Sequence, residues 1–339
     1  VTVSVVIPVK DDPRVFEAVA SVGDHHGLAV PPELIVVDNG SAPEFVASLR
    51  DLGSGVRLLF EATPGPAAAR NTGVRAATGD VILFTDADCR VEPGWAAAAV
   101  RGLEGSSVSL LVGASRPTAG TRAERVMARH THGGLRWRLA STRYIDTRNL
   151  AVRRDVFTKV RFDERLLRFE DHAFGFLAAA AGFGIGASSA MRVHHATDGR
   201  FDRYLAKRLV GGWSRRAALP AGLRTGGAGV RAFPVAARQW YVRAGRRVPW
   251  LAPLGWRVAL AGGRALQRSL PAIPEPLAAA LLAALAWLAL STGVLLHARG
   301  LPQPSVAEAL AGPAHWPHTP QATGAKGTVA GAPPNRPAM

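Results

Sequence analysis

A single cysteine, Cys89, in 339 residues excludes an internal disulfide, and no Cys/His spacing has the pattern of a structural zinc site. Lysine is almost missing, four residues against 37 arginines. No glycine-rich loop of the GxGxxG or GxxxxGK kind follows an apolar run, which argues against a dinucleotide dehydrogenase and against a P-loop nucleotidase. The opening Val1-Thr2-Val3-Ser4-Val5-Val6-Ile7-Pro8 lacks a basic n-region, so the expectation is a chain whose bulk stays in a reducing cytosol. What is present is 48% hydrophobic and 19% charged. That balance excludes a wholly disordered chain, and the length suits one large domain or two ordinary ones.

Acids are the next scarcity, and a local one. Residues 1–197 hold 23 basic and 21 acidic side chains, whereas 198–268 hold 15 basic and only Asp198 and Asp202. An arginine-rich coding bias explains part of the excess, but not why acids vanish from one stretch. Directly beyond it, Leu277 to Leu296 runs twenty residues without a charge, enough at 1.5 Å per residue to cross a bilayer core of about 30 Å. Trp240, Tyr241, Trp250 and Trp256 lie among arginines just before it, the mixture of a membrane interface. Seven of the twenty are alanine, so a buried core helix is the competing reading. The expected organisation is a domain over 1–197, a basic juxtamembrane region over 198–268, a membrane-associated helix within 269–299, and a disordered Pro/Ala/Gly-rich tail over 300–339. The arginine-rich side would face the cytoplasm and an anionic membrane surface.

In the first half, apolar runs alternate with amphipathic stretches. Val3–Val9, Glu33–Val37, Val56–Phe60 and Val81–Thr85 read as strands. Val15, Phe16, Val19 and Val22 are spaced for one helix face, and Ala67–Ala77 reads as a helix stopped by Gly79. Continuous apolar strands separated by helices imply an α/β fold with a parallel sheet covered on both faces. Ligands bind such sheets at the carboxyl ends of the strands. There the sequence places Asp11 and Asp12, then Asp38, then Asp86 and Asp88. Without a glycine cradle, a nucleotide's phosphates need another partner, and a divalent metal on a carboxylate is the obvious one.

Four blocks in order make the pattern specific: VSVVIPVKDD, ELIVVDNGS, PGPAAARNTGVRAATGDVILFTDAD and a later FED. Over about residues 3–197 they resemble family 2 glycosyltransferases of the GT-A fold, a Rossmann-like nucleotide-diphospho-sugar transferase domain. The resemblance implies a nucleotide-diphosphate sugar donor contacted by Pro8, Asp11, Asp12, Asp38, Arg70, Asn71 and Asp86. Two other readings stay open here: Asp38 capping a helix near Pro43, and Arg70 as a helix-surface arginine. Asp86 and Asp88 form the family's DxD, with Asp88 holding Mn2+ or Mg2+ and Asp86 contacting ribose or supporting the metal. His194 or His195, at the end of a strand after Met191, would complete that metal site. Of Glu170 and Asp171, the family favours Asp171 as the general base that deprotonates the acceptor hydroxyl. The pair could instead simply begin a helix, where acids suit the dipole. Cys89 reads as a packing residue.

Processive polymerases of the family carry a QxxRW block after the acidic pair. The comparable region here reads KRLVGGWSRR, so a non-processive enzyme is expected. Its acceptor would be a cell-envelope or lipid-linked glycan at the cytoplasmic membrane face. The alternatives are a soluble cytoplasmic transferase acting on a small natural product, or a non-catalytic nucleotide-sugar or nucleic-acid binding module. No nucleic-acid partner is expected.

Overall fold

The computed structural model describes residues 1–23, 27–132, 134, 136–139, 145–218, 250–299 and 301–313. Trp240, Tyr241 and the tail beyond 313 lie outside the described residues. Chain order begins with β1 (Val3–Val9), α1 (Val15–Gly23), β2 (Glu33–Asp38), α2 (Pro43–Ser48), β3 (Val56–Phe60), α3 (Pro66–Ala76) and β4 (Val81–Phe84). It continues through β5 (Cys89–Val91), α4 (Trp95–Leu103), β6 (Val108–Thr118), α5 (Arg122–His132), β7 (Arg138–Leu139), β8 (Leu150–Arg153), α6 (Glu170–Ala180) and β9 (Gly184–Ala196). Among the described residues it closes with helices α7 (Phe201–Ala218), α8 (Leu251–Ser269), α9 (Glu275–Ala298) and α10 (Val306–Ala311).

The strands form one sheet in the order β3-β2-β1-β4-β8-β6-β9-β5, with β7 beside β6. The four strands read from the first half are parallel to one another. The remainder is mixed: β8 runs antiparallel to both β4 and β6, and β5 antiparallel to β9. The all-parallel expectation therefore holds for one half of the sheet only. Both faces are covered as expected. Val5, Ile7 and Leu83 pack with α1 and α4 on one side, while Val6, Ile35 and Ile82 pack with α3 and α6 on the other. That two-sided burial is why these strands read as unbroken apolar runs.

A second core lies in the helices. Val126 and Met127 of α5 join Phe201 and Leu205 of α7, Trp256 of α8, and Leu282 and Leu296 of α9. The apolar helix α9 is thus a bundle element, with 56% of its most apolar window buried inside the protein. Residues 301–313 are ordered, where the tail was expected to be without structure. Ser305 and Glu308 form a capping box at the start of α10, and the Trp256 indole donates to the Ala309 carbonyl at 2.8 Å.

Candidate active site

The first carboxylates sit where β1 and β2 end. Asp11 is in the left-handed region at φ 49°. It laces two loops together, donating its N–H to Ser41 Oγ at 2.9 Å and accepting the Ala42 N–H at 2.7 Å. Asp12 is held by Arg14, whose Nε and terminal nitrogen donate at 2.8 and 2.6 Å. Pro8 lies inside β1, in register with Val37. Asp38 is buried, and its Oδ2 accepts long bonds from the Gly40 and Ser41 N–H groups at 3.3 and 3.4 Å. Helix α2 starts from Ala42 with no side-chain cap, so Asp38 is not its cap. Its Oδ1 is buried without a partner. A buried lone acceptor of this kind needs a donor, and a ligand hydroxyl or base N–H would supply one.

Arg70 is interior, 3% exposed, not a surface arginine. It donates to Asp86 Oδ1 at 2.9 Å and to Glu170 Oε1 at 2.7 Å, joining the end of β4 to the start of α6. Burial opposes its charge, but Asp86, Glu170 and Asp171 outweigh that and raise its pKa. One guanidinium cannot satisfy three acids. Burial therefore wins at two of them: Asp86 and Glu170 are both pushed above the usual carboxylate range, with Asp88 and Asp171 respectively adding to the effect and Arg70 opposing it. Asp171 is partly open, its side chain 22% exposed, with Oδ1 accepting the His172 N–H at 2.7 Å. Phe169, just before α6, is the other non-glycine residue with positive φ, at 72°, among the described residues. Left-handed residues that are not glycine concentrate where a site dictates the backbone, and Asp11 and Phe169 sit next to candidate site residues.

Asp88 faces His195. The Nε2–Oδ2 distance is 3.3 Å, and β5 delivers the pairing, since Cys89 is in register with His195 on β9. Strand alternation sends His194 to the opposite side, where its Nε2 is 3.0 Å from Glu92 Oε1. Of the two histidines left open by the sequence, His195 is the one beside the DxD pair, and its Nδ1 is buried without a partner. Burial would raise the Asp88 carboxyl, but His195, Arg14 and Arg148 hold it well below the usual range. Cys89 is buried, and burial with the neighbouring acids pushes its thiol up, consistent with a packing role. A cavity of about 340 Å³ is lined by Thr118, Glu124 and Thr197, where β9 ends.

Asn71 does not face this cluster. Its amide donates to the Phe162 carbonyl at 3.0 Å and to Glu164 Oε1 at 2.8 Å, and its oxygen accepts the Phe162 N–H at 3.2 Å. It pins the 162–164 loop against α3. Three residues absent from the expected site support it instead. Arg14 ties Asp12 toward Asp88, 3.9 Å away. Arg148 forks onto Asp146, Nε donating at 2.9 Å, and adds positive charge near the DxD pair. Asn149 accepts the Trp95 indole N–H at 2.8 Å and donates to the Ala114 and Met191 carbonyls. It fits only because residue 113 is glycine, since a Cβ there would lie 2.2 Å from its Nδ2.

Residues 4–165 match the family model described as Glycosyl transferase family 2. The chain is 29% identical over 192 residues to Glycosyltransferase AglE of Haloferax volcanii, covering 54% of this chain and 63% of that protein. It is 38% identical over 98 residues to Pre-mycofactocin glycosyltransferase of Mycobacterium tuberculosis, covering 27% of this chain and 19% of that one. The chain thus spans less than two thirds of the length of either relative. Among solved structures it resembles the mannosyltransferase PcManGT from Pyrobaculum calidifontis, in complex with GDP-Man and Mn2+. That likeness has TM-score 0.52 and 20% identity over 87% of this chain and 85% of that one, and it is a likeness of fold.

Proposed function

Because residues 4–165 match the model of glycosyl transferase family 2, we propose that this chain is an inverting, divalent-metal-dependent transferase of that family. It moves one sugar from a nucleotide-diphosphate sugar to an acceptor hydroxyl. The observation that carries the reading is Arg70, which holds Asp86 at 2.9 Å on one side and Glu170 at 2.7 Å on the other. Through it, the end of β4 and the first turn of α6 are built around a single buried charge.

The nucleoside binds at the ends of β1 and β2, where the buried, unpartnered Asp38 Oδ1 accepts from its ribose or base. Asp88 and His195 would hold the ion. Among the described residues no three His, Cys, Asp or Glu side chains form a closed cage. A carboxylate and an imidazole with positions left for phosphate oxygens is a fitting donor set, because Mn2+ and Mg2+ commonly share their shell with substrate phosphates. An ion held there would supply positive charge against the departing diphosphate. Arg14 and Arg148 add fixed positive charge on the same side.

Asp171 accepts the proton of the acceptor hydroxyl as its oxygen attacks the anomeric carbon opposite the diphosphate. Its Oδ1 is fixed by the His172 N–H at 2.7 Å. Glu170, locked onto Arg70, is a positioning residue and leaves the base role to its neighbour. The acceptor class is a glycan or lipid-linked hydroxyl compound, and the missing QxxRW block favours transfer of single sugars.

A panel of UDP-, GDP- and dTDP-sugars with Mn2+ or Mg2+, read as released nucleoside diphosphate, tests this directly. GDP-mannose with Mn2+ is the first pair to try. Release from one donor that disappears with EDTA, in Asp88→Asn and in Asp171→Asn is expected. Folded, metal-loaded protein that is silent with every donor, with and without lipid extract, would overturn it.

A further inference from the structure

The α8–α9 hairpin carries a surface that sugar transfer does not use. Trp250, Leu254 and Val258 recur every four residues from the start of α8 and are 62%, 46% and 50% exposed. That spacing keeps them on one flank. Leu277 and Leu281 repeat the pattern on α9, at 53% and 43%. Gly262 of α8 faces Leu285 of α9, a Cβ there meeting its side chain at 2.7 Å. At 100° per residue, this contact puts α9 on the Val258 side of α8, so the two apolar rows adjoin. Arg257, Arg264 and Arg268 border the row on its Trp250 edge, away from α9, and are exposed. The helix contains no acid, and Arg257 and Arg268 make no ion pair among the described residues.

Isolated exposed leucines need no explanation, but two adjoining rows with an arginine border do. A bilayer-spanning α9 does not suit this bundle. A Cβ at Gly293 would lie 1.8 Å from the Leu209 carbonyl oxygen of α7, and one at Gly212 would lie 2.1 Å from that of Leu290. The two backbones touch, so α9 could enter hydrocarbon only by dragging in Lys207, Arg208 and Arg215 of α7, each costly at the bilayer centre.

We infer that the α8–α9 face seats the protein flat on an anionic lipid bilayer. The apolar rows dip into the acyl boundary, Trp250 sits at headgroup level, and Arg257, Arg264 and Arg268 meet lipid phosphates. This arrangement combines the apolar burial and the lipid electrostatics that hold interfacial helices in place. It does not depend on which reaction the site performs.

The test is flotation of the full chain with vesicles of phosphatidylcholine alone or mixed with phosphatidylglycerol, at low and high salt. Binding to the mixed vesicles only, weakened by salt, is expected. Arg257→Gln with Arg268→Gln should weaken it on the order of 25-fold, about five-fold per arginine. Val258→Asp with Leu281→Asp should abolish it without changing thermal unfolding, since both residues are already exposed. Equal binding to both vesicle types that survives alkaline carbonate would overturn the inference in favour of a span. No binding, or a dimer in solution dispersed by Val258→Asp, would overturn it in favour of a protein partner.

Discussion

Arg70 and Glu170, a hundred residues apart in the chain, meet at 2.7 Å in the protein interior. Both are nearly inaccessible, their side chains 4% and 8% exposed. The pair, with Asp86 as third member, has few routes to relief by water. Removing one partner of a buried ion pair typically costs about 3–5 kcal/mol, because the survivor is left charged and unpaired. Arg70→Met should lose about that much stability in urea unfolding and lose donor turnover. A loss under about 1 kcal/mol would show that the cluster does not organise this interior.

The two adjacent histidines should behave oppositely. His195→Ala should weaken Mn2+ binding, followed by paramagnetic titration of the protein with nucleoside diphosphate, by about ten-fold or more. His194→Ala should leave it within two-fold, since that ring is spent on Glu92. Equal effects would remove His195 from the ion's shell.

Asp171→Asn should lower kcat by about 10²–10⁴-fold, the usual share of a general base. KM for the donor and the unfolding midpoint should stay near wild type. A fall in stability instead would assign Asp171 a structural role.

Acid should loosen the helix bundle where α5 meets α7. His130 of α5 bonds the Tyr204 hydroxyl of α7 at 2.9 Å. Burial, with Arg208 adding, pulls its imidazole from 6.5 down to about 4. The unfolded chain therefore takes the proton first as pH falls. The contribution is fully present above pH 6.5 and is lost as pH drops from there toward 4. His130→Gln should flatten the stability profile in that window by about 1–3 kcal/mol. His132, pulled down similarly, keeps part of the slope. An unchanged profile would remove His130 from this contact's energetics.

Gly293→Ala should destabilise the bundle by about 1–3 kcal/mol or more, as overpacking does. The Leu209 carbonyl stands where the new methyl would go. Gly312→Ser, with nothing near its Cβ position but a φ of 102°, should lose stability through backbone strain alone. Chemical denaturation of both variants separates the two causes by size, crowding being the larger.

The sequence made the strand ends legible because strands covered on both faces must be continuous apolar runs, and polar residues can appear only where they stop. The candidate carboxylates followed from that. What it could not show was partnership. Nothing local tells Leu150–Arg153 to run antiparallel between β4 and β6, so the mixed half of the sheet was invisible. Asn71 has the right chemistry for a ligand, but the Phe162 loop arrives to consume it. Arg14 looks like any arginine beginning a helix until Asp88 comes within 3.9 Å. Alternation separates His194 from His195, yet only the pairing with β5 says which one faces Asp88. One miss was avoidable. Ser305-Val306-Ala307-Glu308 is a capping-box pattern, and it marks order inside a stretch whose proline and alanine content reads as disorder.

Between Gly113 and Ala114 the pairing of β6 with β9 jumps from Ser188 to Arg192. Ser189 and Ala190 are exposed in that bulge, whereas Met191 and Val193 are fully buried. The strand therefore has a slack section followed by a keyed one. A residue gained or lost at 189–190 can be taken up by the bulge, leaving everything downstream in phase. A residue gained just before His194 would instead put that ring beside Asp88, and one lost there would turn His195 to Glu92.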